Sequence, residues 1–216
     1  MLMEQERSQI VEYGKKMSAS GLSRGTSGNI SVYNHENQYM AISPSGIGYF
    51  ETEAQDVVIM DLDGKVIDGS RKPSSEHNIH ATFYKEKPDM GAVVHTHSIF
   101  CSTLACMRMP IEAVHYVIGG AGTATVACAE YATFGSPELA KNAIAACKGS
   151  KAVLLANHGL VTCGINLAKA FGLAVNMEFV AEMQWRSLCA GKPVVLDRTE
   201  MAHVMEEFKT YGQIRK

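Results

Sequence analysis

Gly91-Ala92-Val93-Val94-His95-Thr96-His97 is the stretch on which the reading of this chain turns. Small and β-branched apolar residues fill its first four positions, the pattern of a strand buried on both faces. Two histidines then stand where that strand emerges. Spaced by two on extended backbone, their imidazoles leave the same face and can chelate one ion. A second stretch repeats the plan: AVLLAN (152–157) is another buried strand, with His158 at its end before Gly159. Strand ends lining a crevice are the usual place for ligands in such sheets. Three imidazoles suit zinc or a similar first-row divalent ion and leave a position open for substrate. His35, His77, His80, His115 and His203 have no such setting and read as ordinary surface or hydrogen-bonded histidines.

Working outward, residues 4–20 carry Ile10, Tyr13, Gly14 and Met17 at helical spacing, with Gly21 as a stop. From 28 to 66 the pattern turns to short β-like runs, NISVY, YMAIS, DVVIMDL and KVI, parted by Gly, Asn and Asp turns. A helix is expected over Ser74–Lys85, just after Pro73, and another from about Ser98 to Met107. After an irregular middle, Ser136 as N-cap and Pro137 at the first helical position open a further helix. AVLLAN, His158-Gly159 and LVTCG read as two strands and a turn. Leu167, Phe171, Ala174, Glu178, Ala181, Trp185 and Leu188 recur along a long helix, and a last short one covers about 200–210. Early strands with helices spread throughout predict a mixed sheet between helical layers, in one domain spanning 1–216.

Apolar residues make up 46% of the 216 and charged residues 19%, an ordinary globular balance. A net charge of −2 offers no basic stripe for nucleic acid, and no apolar run nears the length of a bilayer span. The N-terminal MLMEQERSQIVEY lacks a signal peptide's apolar stretch, which points to the cytoplasm. Six cysteines without a C-x-x-C pair are then expected to be reduced, mostly buried and inert.

Three short segments share a composition: Arg24-Gly25-Thr26-Ser27-Gly28-Asn29, Ser43-Pro44-Ser45-Gly46-Ile47-Gly48 and Lys72-Pro73-Ser74-Ser75-Glu76. Glycines let amides turn inward and hydroxyls add donors, which is what a phosphate needs. The third also opens a helix, itself an anion site. Beside a metal centre they favour a small phosphorylated substrate. Glu76, expected in the first turn of that helix, suits the dipole as a cap, and its position also fits a carboxylate that ligates the metal and moves a proton.

GTSGN, SPSG, PSSE, AVVHTHS, AVHY, YATFGS, NHG and the closing FKTYG, in this order and spacing, resemble the class II sugar-phosphate aldolases of the L-fuculose-1-phosphate aldolase type. The likeness runs from about residue 5 to 212. It implies an α/β, three-layer fold with a central, mostly antiparallel sheet flanked by helices, and a homotetramer with active sites between subunits. It implies that His95, His97, His158 and Glu76 bind one zinc per subunit, which acts as a Lewis acid on the ketose. Gly28, Asn29, Ser45, Gly46, Ser74 and Ser75 match phosphate-binding positions, with Thr26 beside them. Tyr116 matches a catalytic tyrosine supplied across a subunit interface, and Glu76 moves a proton at C3. Phe134, Phe208 and Tyr211 match residues walling the aldehyde end. Ser27 and Ser45 depart mildly from the alanine and threonine of the fuculose-phosphate enzymes.

The activity so implied is reversible cleavage of a ketose 1-phosphate, L-fuculose 1-phosphate or similar, to dihydroxyacetone phosphate and an aldehyde such as L-lactaldehyde. A related aldolase of 5-deoxyribulose or methylthioribulose 1-phosphate would use the same catalytic groups. The L-ribulose-5-phosphate 4-epimerases of this fold read T-T-H-A-D-Y-F where this chain has Ala113-Val114-His115-Tyr116-Val117-Ile118. Methylthioribulose-1-phosphate dehydratase is the other rival enzyme. Adducin-like binding modules lack the metal histidines present here.

Overall fold

The computed structural model describes residues 1–208 and 210. An eight-stranded sheet runs through it in the order β4-β3-β2-β1-β5-β10-β9-β8. Its strands are β1 (Asn29–Asn34), β2 (Tyr39–Ile42), β3 (Val58–Met60), β4 (Val66–Asp68), β5 (Ala92–Thr96), β8 (Cys128–Ala129), β9 (Ala152–Leu155) and β10 (Gly159–Gly164). All neighbours are antiparallel except β8 and β9. A separate hairpin pairs β6 (Ile111–Glu112) with β7 (Thr125–Val126).

The strand carrying His95 lies in the middle of this sheet, between β1 and β10. Every residue of β5 is buried, as its unbroken apolar run requires of a strand covered on both faces. One face packs Ala92 and Val94 with Ile10 and Met17 of α1 (Glu4–Ala19), Leu104 of α3 (Ile99–Cys106) and Leu173 and Met177 of α5 (Leu167–Ala190). The other packs Val93 with Ile79 and Phe83 of α2 (His77–Glu86) and Leu139 and Ala143 of α4 (Pro137–Ala146). The result is the expected sheet between two helical layers. A sixth helix, α6 (Arg198–Glu207), lies against the 3-10 segment Tyr116–Ala121.

Helix starts follow their caps. Ser136 accepts from the Leu139 amide with Pro137 at the first position, and Asn166 does the same for the Lys169 amide at the start of α5. Two readings need correction. Helix α2 begins at His77, so Ser74 and Ser75 stand before it and Glu76 is its N-cap residue, with no side-chain capping bond. Ser74 bonds the His77 and Glu76 amides instead, through its carbonyl and hydroxyl. The cysteines are all free, yet Cys101, Cys147 and Cys163 alone are buried; Cys106 and Cys189 are exposed at helix ends.

Candidate metal centre

His95 is the penultimate residue of β5, directly opposite Asn29 of β1 on one side and Val161 of β10 on the other. His97 follows one residue beyond the strand. His158 sits in the tight connection between β9 and β10, where Asn157 takes a left-handed conformation at φ 55°. The three imidazoles meet with each pair of ring centroids 4.8 Å apart and each pair of planes near perpendicular. Glu76 reaches them from the start of α2: Oε2 is 3.3 Å from His95 Nε2 and Oε1 is 3.3 Å from His158 Nε2. All four ligand atoms fall within 4.8 Å of one another.

A divalent cation fits this centre. His95 Nδ1–H donates to the Leu160 carbonyl at 2.9 Å, which leaves the Nε2 lone pair facing inward, 2.9 Å from His97 Nε2. With the His97 ring as its Nδ1–H tautomer, both nitrogens present lone pairs to one shared cation. The 3.3 Å spacings match the edge of a tetrahedron about an ion with bonds of about 2.0–2.1 Å. Glu76 Oε1 is buried with no hydrogen-bond partner and points to the same place.

Electrostatics agree. Burial, then the neighbouring His95, pushes His97 and His158 down to about 4, so both are neutral ligands at pH 7. Burial acts to raise the Glu76 carboxyl, but His95, His158 and the Asn29 amide outweigh it and hold it ionised.

The three glycine-and-serine loops converge beside this centre. Ser45 N–H donates to Lys72 O at 2.9 Å and Ser74 N–H to Ser43 O at 3.1 Å, stitching the second loop to the third around a Pro44–Pro73 bridge. The Ser43 hydroxyl accepts from Ile30 N–H, tying both to the first. Ser74 is buried in this stitching, while Thr26, Ser45, Gly46 and Ser75 are exposed. Gly28 carries φ 74°, and a Cβ there would lie 2.7 Å from His95 O, so only glycine lets this loop close on the metal strand. Asn29 is turned to the metal side: its Nδ2 donates to Glu76 Oε2 at 2.9 Å.

Of the aromatic positions, Phe134 is 68% exposed, in a loop that Gly135 docks against Ser75 O. Tyr116 is 50% exposed and stacks on His115 and Phe208, at centroid distances of 4.7 and 6.2 Å. Among the described residues it makes no hydrogen bond or ring contact with the histidine cluster. Tyr211 lies outside the described residues.

Two partners escaped the sequence reading. Glu178 of α5 accepts from the amides of Phe100 and Cys101, anchoring α3 just past His97. His80, ordinary by its sequence setting, bonds Asn29. Its signal was there: it stands four residues after Glu76, on the same helix face.

A family model described as the class II aldolase and adducin N-terminal domain matches residues 8–185. The chain belongs to that family. It is 46% identical, over 99% of its own length and 100% of the relative's, to a 5-deoxy-D-ribulose 1-phosphate aldolase of Bacillus thuringiensis serovar kurstaki. An L-fuculose phosphate aldolase of Escherichia coli O157:H7 is 42% identical over 94% of each chain. A solved L-fuculose 1-phosphate aldolase superposes with a TM-score of 0.94 at 43% identity, covering 97% of this chain and 98% of that one. This class II aldolase is therefore a lyase of a metal-dependent family, and its cluster of one glutamate and three histidines is able to bind the metal. No described helix is long and apolar enough to cross a membrane.

Proposed function

We propose that this class II aldolase is a cytoplasmic enzyme that cleaves a ketose 1-phosphate between C3 and C4, with one zinc ion per subunit held by Glu76, His95, His97 and His158. The observation that carries the reading is the convergence of three imidazole nitrogens and an unpartnered carboxylate oxygen beside three stitched Gly/Ser loops. Zinc bound there supplies a Lewis acid for the ketose carbonyl and its neighbouring hydroxyl. The exposed hydroxyls of Thr26, Ser45 and Ser75, with Gly28, Asn29, Gly46 and Ser74 shaping the loops, bind the phosphate. As the bond breaks, its electron pair stays on C3 and the C4 hydroxyl gives up its proton to become the aldehyde. The ionised Glu76 takes up a proton, in balance with the one lost from the C4 hydroxyl, and delivers it to C3, while Tyr116 of an adjacent subunit handles the C4 oxygen.

Tyr116 is half exposed, and among the described residues it has no hydrogen bond or ring contact with its own chain's cluster, as a shared site requires. It adjoins apolar side chains left exposed on α5, Val175, Phe179 and Met183, with Phe179 packed edge-on to His115. A homotetramer covers such a surface and brings Tyr116 to a neighbouring centre. Phe134, Phe208 and Tyr211 then wall the aldehyde end, and one domain of 216 residues holds the whole catalytic apparatus apart from the borrowed tyrosine.

The relatives' names divide between L-fuculose phosphate and 5-deoxyribulose 1-phosphate. Both substrates end in a methyl group; they yield L-lactaldehyde and acetaldehyde and differ by one CHOH. L-fuculose 1-phosphate is the first reading, while the 46% relative favours 5-deoxyribulose 1-phosphate as the second. Zinc-loaded protein offered both esters, methylthioribulose 1-phosphate and L-ribulose 5-phosphate should release dihydroxyacetone phosphate from the 1-phosphates alone. Epimerised L-ribulose 5-phosphate with no dihydroxyacetone phosphate from any ester would overturn the assignment.

A further inference from the structure

Behind Glu76 a fully buried hydrogen-bond chain crosses from the helix to the sheet. Glu76, the N-cap residue, and His80 and Tyr84 of α2 lie four residues apart in one row, and Asn29, Ser31 and Tyr33 lie two apart on one face of β1. The two rows mesh. Asn29 Nδ2 donates to Glu76 Oε2 at 2.9 Å, and Asn29 Oδ1 lies 2.5 Å from His80 Nε2. Ser31 Oγ lies 2.6 Å from His80 Nδ1 and 2.6 Å from the Tyr84 hydroxyl. The Tyr84 ring stacks on Tyr33 with centroids 4.9 Å apart.

The direction of every bond in this chain follows from its end. An ionised carboxylate accepts only, so Asn29 must present nitrogen to Glu76 and oxygen to His80. His80 Nε2 must then carry the hydrogen, which makes Nδ1 the acceptor. The Ser31 hydroxyl fills that acceptor and in turn accepts from Tyr84. His80 is wholly buried, and burial first, with His95 and His77 added against Glu76, favours the neutral ring and pushes its pKa down to about 3. An amide in the middle of the chain passes orientation, since transferring a proton would need its imidic-acid form.

We propose that His80 is a positioning residue for Glu76: locked by Ser31 as the Nε2–H tautomer, it holds the Asn29 amide with its nitrogen toward the carboxylate, so that Oε2 always meets a donor and Oε1 stays turned to the histidine nitrogens. Its catalytic consequence rests on the proposed role of Glu76. Without His80, Asn29 is free to turn its oxygen on Glu76, and the carboxylate loses the support that sets its aim. Asn29 thereby serves the proton-transfer group as well as the phosphate loop. Metal-site groups that orient a ligand in this way carry effects of about 10–100-fold on metal affinity or turnover.

The test begins on the unaltered protein. Long-range proton–nitrogen spectra of histidine-labelled protein at pH 7, metal-free and zinc-loaded, should show His80 protonated at Nε2 and bare at Nδ1. The opposite tautomer, or a charged ring, overturns the proposal with no reference to activity. His80→Leu should weaken zinc affinity and lower kcat, each about tenfold or more, with KM changed far less, when assayed at saturating zinc. His80→Gln, able to donate to Asn29 and accept from Ser31, should recover most of both. His80→Leu added to Asn29→Ala should cost nothing further, because both act through one amide. Equal behaviour of the Leu and Gln variants, or additive losses in the double variant, would sink the idea. Should His80→Leu fail to fold, the Gln variant's zinc affinity and the tautomer spectrum decide. If the unaltered protein cleaves no ketose phosphate, the proposed function fails, while spectrum and zinc affinity still judge His80.

Discussion

Under the proposed function two regions of this molecule carry chemistry, and they are built in opposite ways. The histidine centre stands at the ends of the middle strands of the sheet, with His95 and Glu76 buried and each aimed by a partner. The Tyr116 region stands on a short 3-10 turn at the edge of the helical layer, half exposed, and its rings lean on one another. A metal site needs tenths of an ångström, and strands in mid-sheet supply that rigidity. A group that serves a neighbouring subunit must instead reach outward, and its own chain leaves it uncovered. The first region is complete in one chain; under the proposed function the second is completed by assembly.

The largest effect should come from the rigid region. His95→Ala is expected to empty the centre of its ion and to cut turnover about a thousandfold or more, the scale of several kcal/mol of Lewis-acid stabilisation. Metal analysis should fall from about one ion per chain to near none. His203→Ala, away from the cluster on α6, should change neither. Full activity of the stripped protein under chelator would end the distinction between the regions.

Next in size is the contrast between Glu76→Gln and Tyr116→Phe. Each should lower turnover by roughly a hundredfold or more while keeping the fold, and Tyr116→Phe should keep all its zinc. Mixed after dissociation and reassembly, the two inactive variants should regain part of the activity, because some sites combine an intact Glu76 with an intact Tyr116. Verified mixed tetramers that stay dead would show that the tyrosine does not cross the interface.

The loops should give a smaller effect of another kind. Ser75→Ala is expected to raise KM for a ketose 1-phosphate about tenfold, with little change in turnover. Asn29→Leu should depart from that pattern and lower turnover too, because its amide also holds Glu76. Steady-state kinetics on both variants separate phosphate binding from carboxylate positioning.

Smallest is a pH effect on the metal-free protein. His97 and His158 are pushed down to about 4 in the fold and return to about 6.5 when it opens. The unfolded chain therefore binds more protons between those values, so stability is full above about pH 6.5 and declines as pH falls toward 4. Thermal melts of stripped protein should drop by several degrees across that window and stay level from pH 7 to 8. Bound metal should flatten the curve above the pH at which protons displace it.

Much of this was written locally. Strand β5 announces itself because a strand covered on both faces must be apolar throughout, and the histidines at its end stand out against that run. The caps of α4 needed only Ser136 and Pro137, since a cap is settled within a turn of chain. Helix α5 is less plain. Its spacing is helical over its whole length, but Trp185 and Leu188 lie outside while Met177, Val180 and Gln184 are buried, because apolar period alone does not say which neighbour covers which side.

By itself, then, the sequence determined the longer elements and the three strand-end histidines, because strand alternation, capping and H-x-H spacing act over a few residues. The tertiary structure decided what those groups face. The Glu76 carboxylate fits both a helix cap and a metal ligand until the meeting of α2 with β5 and β10 turns it onto three imidazoles, with no capping bond. His80 reads as one more histidine until β1 lays Asn29 and Ser31 against it. The second and third serine-rich turns come together only through backbone bonds across about 30 residues. Partners so far apart in sequence leave no period for a local pattern to carry, and the direction of a buried donor is set only by the acceptor that the fold places before it.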